Sequence, residues 1–194
     1  METFRLYLEL GMEHILDIRG VDHILFVVAL ATIYSLSEWK RVLVLVTAFT
    51  IGHSLTLALA TLRIVAINTQ VIEFLIPVTI FITAFVNLFR KKASLRPARM
   101  QINYYFALFF GLIHGMGFSN YLRGLLGKNE GIVLQLFAFN VGLEIGQIVI
   151  VTLFLAATVI FVDIGGVAKR DWRLVISSAV AAIAISMMID NKFW

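Results

Sequence analysis

No cysteine occurs among the 194 residues. That absence excludes disulfides, iron–sulfur clusters and thiolate metal sites. Any metal must therefore be held by histidine, carboxylate, amide, hydroxyl or backbone donors. Charge is also scarce: 14% of the residues are Asp, Glu, Lys or Arg, against about 25% in a typical soluble domain. No long basic tract is present. The net charge of +4 and the pI of about 9.6 therefore report membrane topology, and no nucleic-acid partner is expected. The lack of a nucleotide-binding motif argues against ATP-driven transport by this chain alone. The opening METFRLYLELGMEHILDIRG carries charges throughout and lacks the apolar core and cleavage site of a signal peptide.

What is there is apolar. Hydrophobic residues make up 60% of the chain, and its mean hydropathy is +0.93. At roughly 20 residues per crossing, the length allows about six transmembrane helices joined by short loops. The expected fold is an all-α, polytopic transmembrane helical bundle, a single integral membrane domain over 1–194. The apolar runs place spans at about 21–37, 42–62, 70–89, 103–122, 131–162 and 172–190. The fifth is long enough to tilt or to project from the bilayer. The N-terminal segment intersperses Phe4, Leu6, Leu8, Leu10 and Ile15 with charges, the pattern of an interfacial helix. The lipid bilayer is the first expected partner, with a metal cation and a second copy of the chain (a homo-oligomer) as further candidates.

Orientation follows from lysine and arginine in short loops. With RKKASLRPAR in the cytoplasm, ten basic residues lie inside: Arg90, Lys91, Lys92, Arg96, Arg99, Lys40, Arg41, Lys169, Arg170 and Arg173. Six lie outside: Arg5, Arg19, Arg63, Arg123, Lys128 and Lys192. Both termini are then non-cytoplasmic.

A charge at the centre of a membrane helix costs about 2.5–3.5 kcal/mol on insertion scales, so ionisable groups there are partnered or functional. Asp22 and His23 open the first span, whose uninterrupted apolar run Ile24–Leu36 is about 20 Å long as a helix, short of the roughly 30 Å hydrocarbon core. His53 with Ser54, His114, and Glu144 with Asn140 and Gln147 lie within the second, fourth and fifth spans. Glu73 sits near the outer start of the third. At 1.5 Å per residue all of these fall in the outer half of the membrane, whereas the inner half holds little beyond Asn87 and hydroxyls. Taken singly, a membrane histidine or asparagine more often bonds a neighbouring helix. The joint pattern points to one site for a divalent cation with nitrogen and oxygen donors, such as nickel, zinc or cobalt. The candidate ligands are Asp22, His23, His53, His114 and Glu144. One of the adjacent Asp22–His23 pair can orient the other. His14, Ser54, Glu73, Asn140 and Gln147 are candidates for orienting the ligands or contacting a substrate.

Glycines accompany these groups. Gly111 with Gly115, and Gly142 with Gly146, have the small-xxx-small spacing that lets helix backbones approach closely. Close approach brings short side chains from different helices to one point. Two functions follow: a divalent-metal permease, or an intramembrane zinc hydrolase acting on a lipid or membrane peptide. In the hydrolase, Glu144 or Asp22 is the base, and Ser54 or Ser119 contacts substrate. A structural protein with a stabilising cluster is the third reading.

Five segments carry a family resemblance: GMEHILDIRGVDHILFVVAL, VTAFTIGHSLTLALATL, VIEFLIPVTIFITAFVN, FFGLIHGMGFS and FNVGLEIGQ. In this order they resemble the HupE/UreJ family of small bacterial membrane proteins. The resemblance implies a multi-pass protein of the bacterial inner membrane that acts as a nickel permease. Its N-terminal motif, a histidine, five residues and then Asp-His, maps onto Asp22 and His23. Here seven residues separate His14 from Asp22. Its second motif has two histidines with a nearby glutamate, and IHGMGFS keeps one, His114, without the acid.

Overall fold

The computed structural model describes residues 2–65, 68–90, 97–125 and 132–194, and every regular element among them is helical. The helices are α1 (Glu2–Leu16), α2 (Asp22–Ala31), α3 (Trp39–Thr61), α4 (Thr69–Leu88), α5 (Pro97–Gly117), α6 (Ser119–Leu125), α7 (Ile132–Thr158) and α8 (Lys169–Asp190). A short 3-10 turn, Leu36–Glu38, leads into α3, and a π-helical stretch, Val159–Ile164, extends α7. Lys91, Lys92, Arg96 and Lys128, which entered the topology argument, lie outside the described residues.

Four of these segments are long and apolar enough to cross a membrane: Leu36–Thr61, Thr69–Leu88, Ile132–Ile164 and Lys169–Asp190. They coincide closely with the second, third, fifth and sixth apolar runs. The first run departs from expectation. Only Asp22–Ala31 is helical within it, and ten residues rise about 15 Å, half a hydrocarbon core. The fourth run breaks at Phe118 into α5 and α6.

Glycine placement sets the packing. A Cβ at Gly52 of α3 would collide with the Leu108 carbonyl of α5, and one at Gly111 or Gly115 of α5 with the Phe49 or His53 carbonyl of α3. Contact positions rise together along both chains, so α3 and α5 are parallel and touch backbone to backbone. The pair α1 and α7 repeats the device. Gly142 faces the Leu8 carbonyl, Gly146 faces Ile15, and Gly11 on α1 faces the Phe139 carbonyl. This pair is parallel as well. The helix-to-helix contact expected of Gly111, Gly115, Gly142 and Gly146 is present in both pairs. A third pair, α4 with α8, is antiparallel, with Phe74 near the start of α4 against Trp194 just beyond the end of α8.

The N-terminal helix is amphipathic, as its sequence suggests. It buries Tyr7, Gly11 and Ile15 against the bundle and leaves Arg5, Glu9 and Glu13 exposed, with Arg5 and Glu9 paired at 2.7 Å. Its C-terminal end at Leu16 and the start of α2 at Asp22 are separated by the non-helical segment 17–21. Asn87 near the end of α4 is buried and donates to the Ala29 carbonyl of α2 at 2.8 Å, the interhelical bond expected of it.

Candidate metal centre

The break between α1 and α2 is the floor plan of the site. It places His14 from the last turn of one helix beside Asp22 and His23 from the first turn of the next. His53 arrives from α3 and His114 from the last turn of α5, held in register by the Gly111 and Gly115 contacts with Phe49 and His53. Ring centroids lie 4.6 Å apart for His14–His23, 5.9 Å for His23–His53, 6.0 Å for His14–His53 and 5.3 Å for His23–His114. Donor atoms of His14, His23 and His53 lie within 4.8 Å of one another, as do those of Asp22, His23 and His114. His23 belongs to both groups. His53 is fully buried, and His114 and His23 are only 1% and 4% exposed.

The hydrogen bonds determine which ring atoms are left for a ligand. Asp22 Oδ1 lies 3.2 Å from His23 Nδ1, so that nitrogen carries the proton toward the carboxylate and Nε2 keeps its lone pair. The Thr79 hydroxyl of α4 gives its single proton to the Ile76 carbonyl at 2.7 Å. Toward His114 Nε2, 3.0 Å away, it can then only accept. With the Thr79 proton on the Ile76 carbonyl, His114 donates from Nε2 and its Nδ1 lone pair is left free. These two free atoms, His23 Nε2 and His114 Nδ1, are buried without a hydrogen-bond partner, as are His14 Nε2 and both nitrogens of His53. Leaving a buried polar group unsatisfied costs about 1–3 kcal/mol. The two donor groups, joined through His23, offer imidazole nitrogens and a carboxylate oxygen that could hold a metal ion.

Aromatic rings close both sides. Phe118, at the joint of α5 and α6, lies over His14 with centroids 4.0 Å apart and stacks on Phe139 at 5.1 Å. On the other side Phe26 and Phe49 each approach His114 at 5.1 Å and pack on one another at 4.8 Å.

The remaining candidates belong to neither donor group. Glu144 is half-buried and accepts from Thr47 at 2.5 Å, two turns along α3 from His53. Gln147 is fully buried and bonded to Thr50 at 2.8 Å. Asn140 donates to Leu136 of its own helix, and Ser54 donates to Thr50 of its own helix, at 2.8 and 2.6 Å. Glu73 is exposed on α4. The structure thus brings Asp22, His23, His53 and His114 together, adds His14 to them, and leaves Glu144 outside either donor group. Sequence reasoning did not reach Thr79, whose one available signal is Pro77 two residues earlier. Proline interrupts the helix ladder and marks α4 as irregular there.

The class these features define is an all-helical membrane protein with donors placed to hold a cation. The chain belongs to the HupE / UreJ protein family, whose model matches residues 1–191, well beyond the motifs that suggested it. No curated protein and no solved structure matches the chain.

Proposed function

We propose that this protein is a divalent-cation permease of the bacterial inner membrane, carrying nickel, cobalt or zinc through an intramembrane site built on His14, His23, His53, His114 and Asp22. One observation supports the reading: two buried donor groups, His14–His23–His53 and Asp22–His23–His114, share His23, and each of the four histidines buries a nitrogen without a partner. In this reading α1 and α2 make the first of six crossings together, with the break between them at the site. Discontinuous helices of this kind line substrate sites in transporters. Both termini then face away from the cytoplasm, and α1 lies along the outer part of α7.

A tetrahedral ion with metal–nitrogen bonds of about 2.0–2.1 Å needs donors roughly 3.3 Å apart. The donor groups, whose atoms lie within 4.8 Å of one another, close onto it by small side-chain movements. Conduction needs a site weak enough for the ion to leave again. His23, common to both groups, lets the ion pass from the His14–His53 side to the His114–Asp22 side without full release. Phe118 on one flank, and Phe26 with Phe49 on the other, make this an occluded state. The hydrolase reading gains less support. Ser54 and Ser119 spend their hydroxyl protons on the carbonyls of Thr50 and Met116 in their own chain segments.

The test is uptake into proteoliposomes, with nickel, cobalt and zinc offered separately alongside metal content after dialysis. The expected result is metal that exchanges on dialysis and flux that disappears in His114→Ala. Stoichiometric metal retained through dialysis with no flux would overturn the permease in favour of a fixed cofactor.

A further inference from the structure

The opposite end of α2 carries a second, chemically distinct site. Between the ends of α2 and α4, the π-helical stretch and the start of α8 lies a cavity of about 830 Å³. Arg90, Lys169, Arg170 and Arg173 line it, against two acids, Glu38 and Asp163. Glu38 is already committed to Arg41 of α3. The Arg173 Nε is buried and has no hydrogen-bond partner. Trp172 is braced beside it, stacked on Phe161 at 5.0 Å, with its indole N–H donated to Thr158 at 3.2 Å.

A second hollow adjoins the first. It is an apolar groove of about 730 Å³ between α2, α4 and α5, floored by Leu30, Leu45 and Phe110 and flanked by Val86 and Phe106. The two share Ile33, Phe89 and Arg90, so the basic cavity and the groove are adjacent, separated by no more than these side chains. A site with clustered guanidinium and ammonium groups at one end and a hydrocarbon-lined channel at the other matches an amphipathic anion. Arginine forks suit phosphate oxygens, and an acyl chain suits the groove. Basic pockets between membrane helices take anionic lipid headgroups by this chemistry. We propose that this protein binds one anionic phospholipid here, its phosphate against Arg170 and Arg173 and one acyl chain along the α4–α5 groove.

The full-length protein in detergent, delipidated, is titrated with phosphatidylglycerol and separately with phosphatidylcholine, and bound lipid is counted by native mass spectrometry. The expected result is one retained phosphatidylglycerol and at least about tenfold weaker phosphatidylcholine binding. Removing two charges, in Arg170→Gln with Arg173→Gln, is expected to cost roughly tenfold or more in affinity. Arg170→Lys with Arg173→Lys keeps the charges and retains most of the binding. Val86→Trp blocks the groove and weakens the lipid without touching a charge. Arg5→Gln, on α1 at the far end, leaves binding unchanged. Equal binding of the two lipids, or unaltered phosphatidylglycerol binding in either the Gln pair or Val86→Trp, overturns the proposal. Inorganic phosphate that displaces the lipid at matching concentration shows a simple anion site and overturns it too.

Discussion

Two polar regions meet on α3 and behave oppositely. At His53 the imidazoles of four helices face one another with nitrogens that bond nothing. One to two turns away, Thr50 and Thr47 reach α7 and bond Gln147 and Glu144. The seam uses three of its polar side chains and the Gln147 carbonyl to hold α3 to α7, leaving Gln147 Nε2 without a partner, whereas the cluster leaves a bare nitrogen on each of its four rings. The difference teaches that intramembrane polarity does not itself mark a ligand site. What marks one is several unpartnered atoms of metal-ligating type gathered within reach of one another, as the histidine nitrogens are and the lone Gln147 amide is not.

The sharpest way to break this contrast is His53→Leu. It should lower metal affinity at least about 100-fold, because a donor is lost outright. The metal-free protein should melt at the same temperature or higher, since an apolar group replaces buried nitrogens without partners. Titration calorimetry and thermal unfolding read the two effects, and a large drop in melting temperature would show that the histidine was structural. Asp22→Asn comes next, with a loss of about 10–100-fold in metal affinity from releasing the His23 ring, read by the same titration. Thr79→Val should cost about tenfold through the same route at His114, by freeing its tautomer. The smallest effect tests the seam. Gln147→Leu should leave metal affinity unchanged while lowering stability by about 0.6–1.7 kcal/mol, the range of interhelical hydrogen bonds in membranes. A metal-affinity loss in Gln147→Leu equal to that in Asp22→Asn would erase the distinction.

Much of the helix layout was legible because a membrane span is written in one dimension, as a run of apolar residues of set length. Four runs became helices with matching ends, and the spacing of Gly111 with Gly115, and of Gly142 with Gly146, marked two faces of backbone contact. The first run gave less: its charged prelude read as an amphipathic surface helix, and the sequence did not show that its apolar face packs against α7. Gly11, which makes that contact possible, has no small partner four residues away within α1 to announce it.

The site divides the same way. Depth is readable from residue counts, and depth put Glu144 with the histidines. Azimuth and partners are not readable, and Thr47 takes Glu144 out of the donor groups. His14 was legible as a histidine before Asp-His, at a spacing of seven residues where the motif has five. The extra length is absorbed in the non-helical segment 17–21, where added residues do not turn a side chain around a helix axis. Thr79 was hidden because a threonine in an apolar helix gives no sign of which way its hydroxyl points.

The donors come from separately packed pieces of the fold: His14 from the α1–α7 pair, His53 and His114 from the α3–α5 pair, and His23 from α2, tied through Asn87 to α4. A cation seated among them would therefore link the α1–α7 pair, the α3–α5 pair and α2, adding to the Thr47–Glu144 and Thr50–Gln147 bonds that already join α3 to α7. A slip of about an ångström by any of these pieces dismantles the coordination sphere, since metal–nitrogen bonds tolerate only a few tenths. The grip on the ion is thus set by the mutual position of the pieces, and whatever moves α1 or α2 adjusts it without touching a ligand.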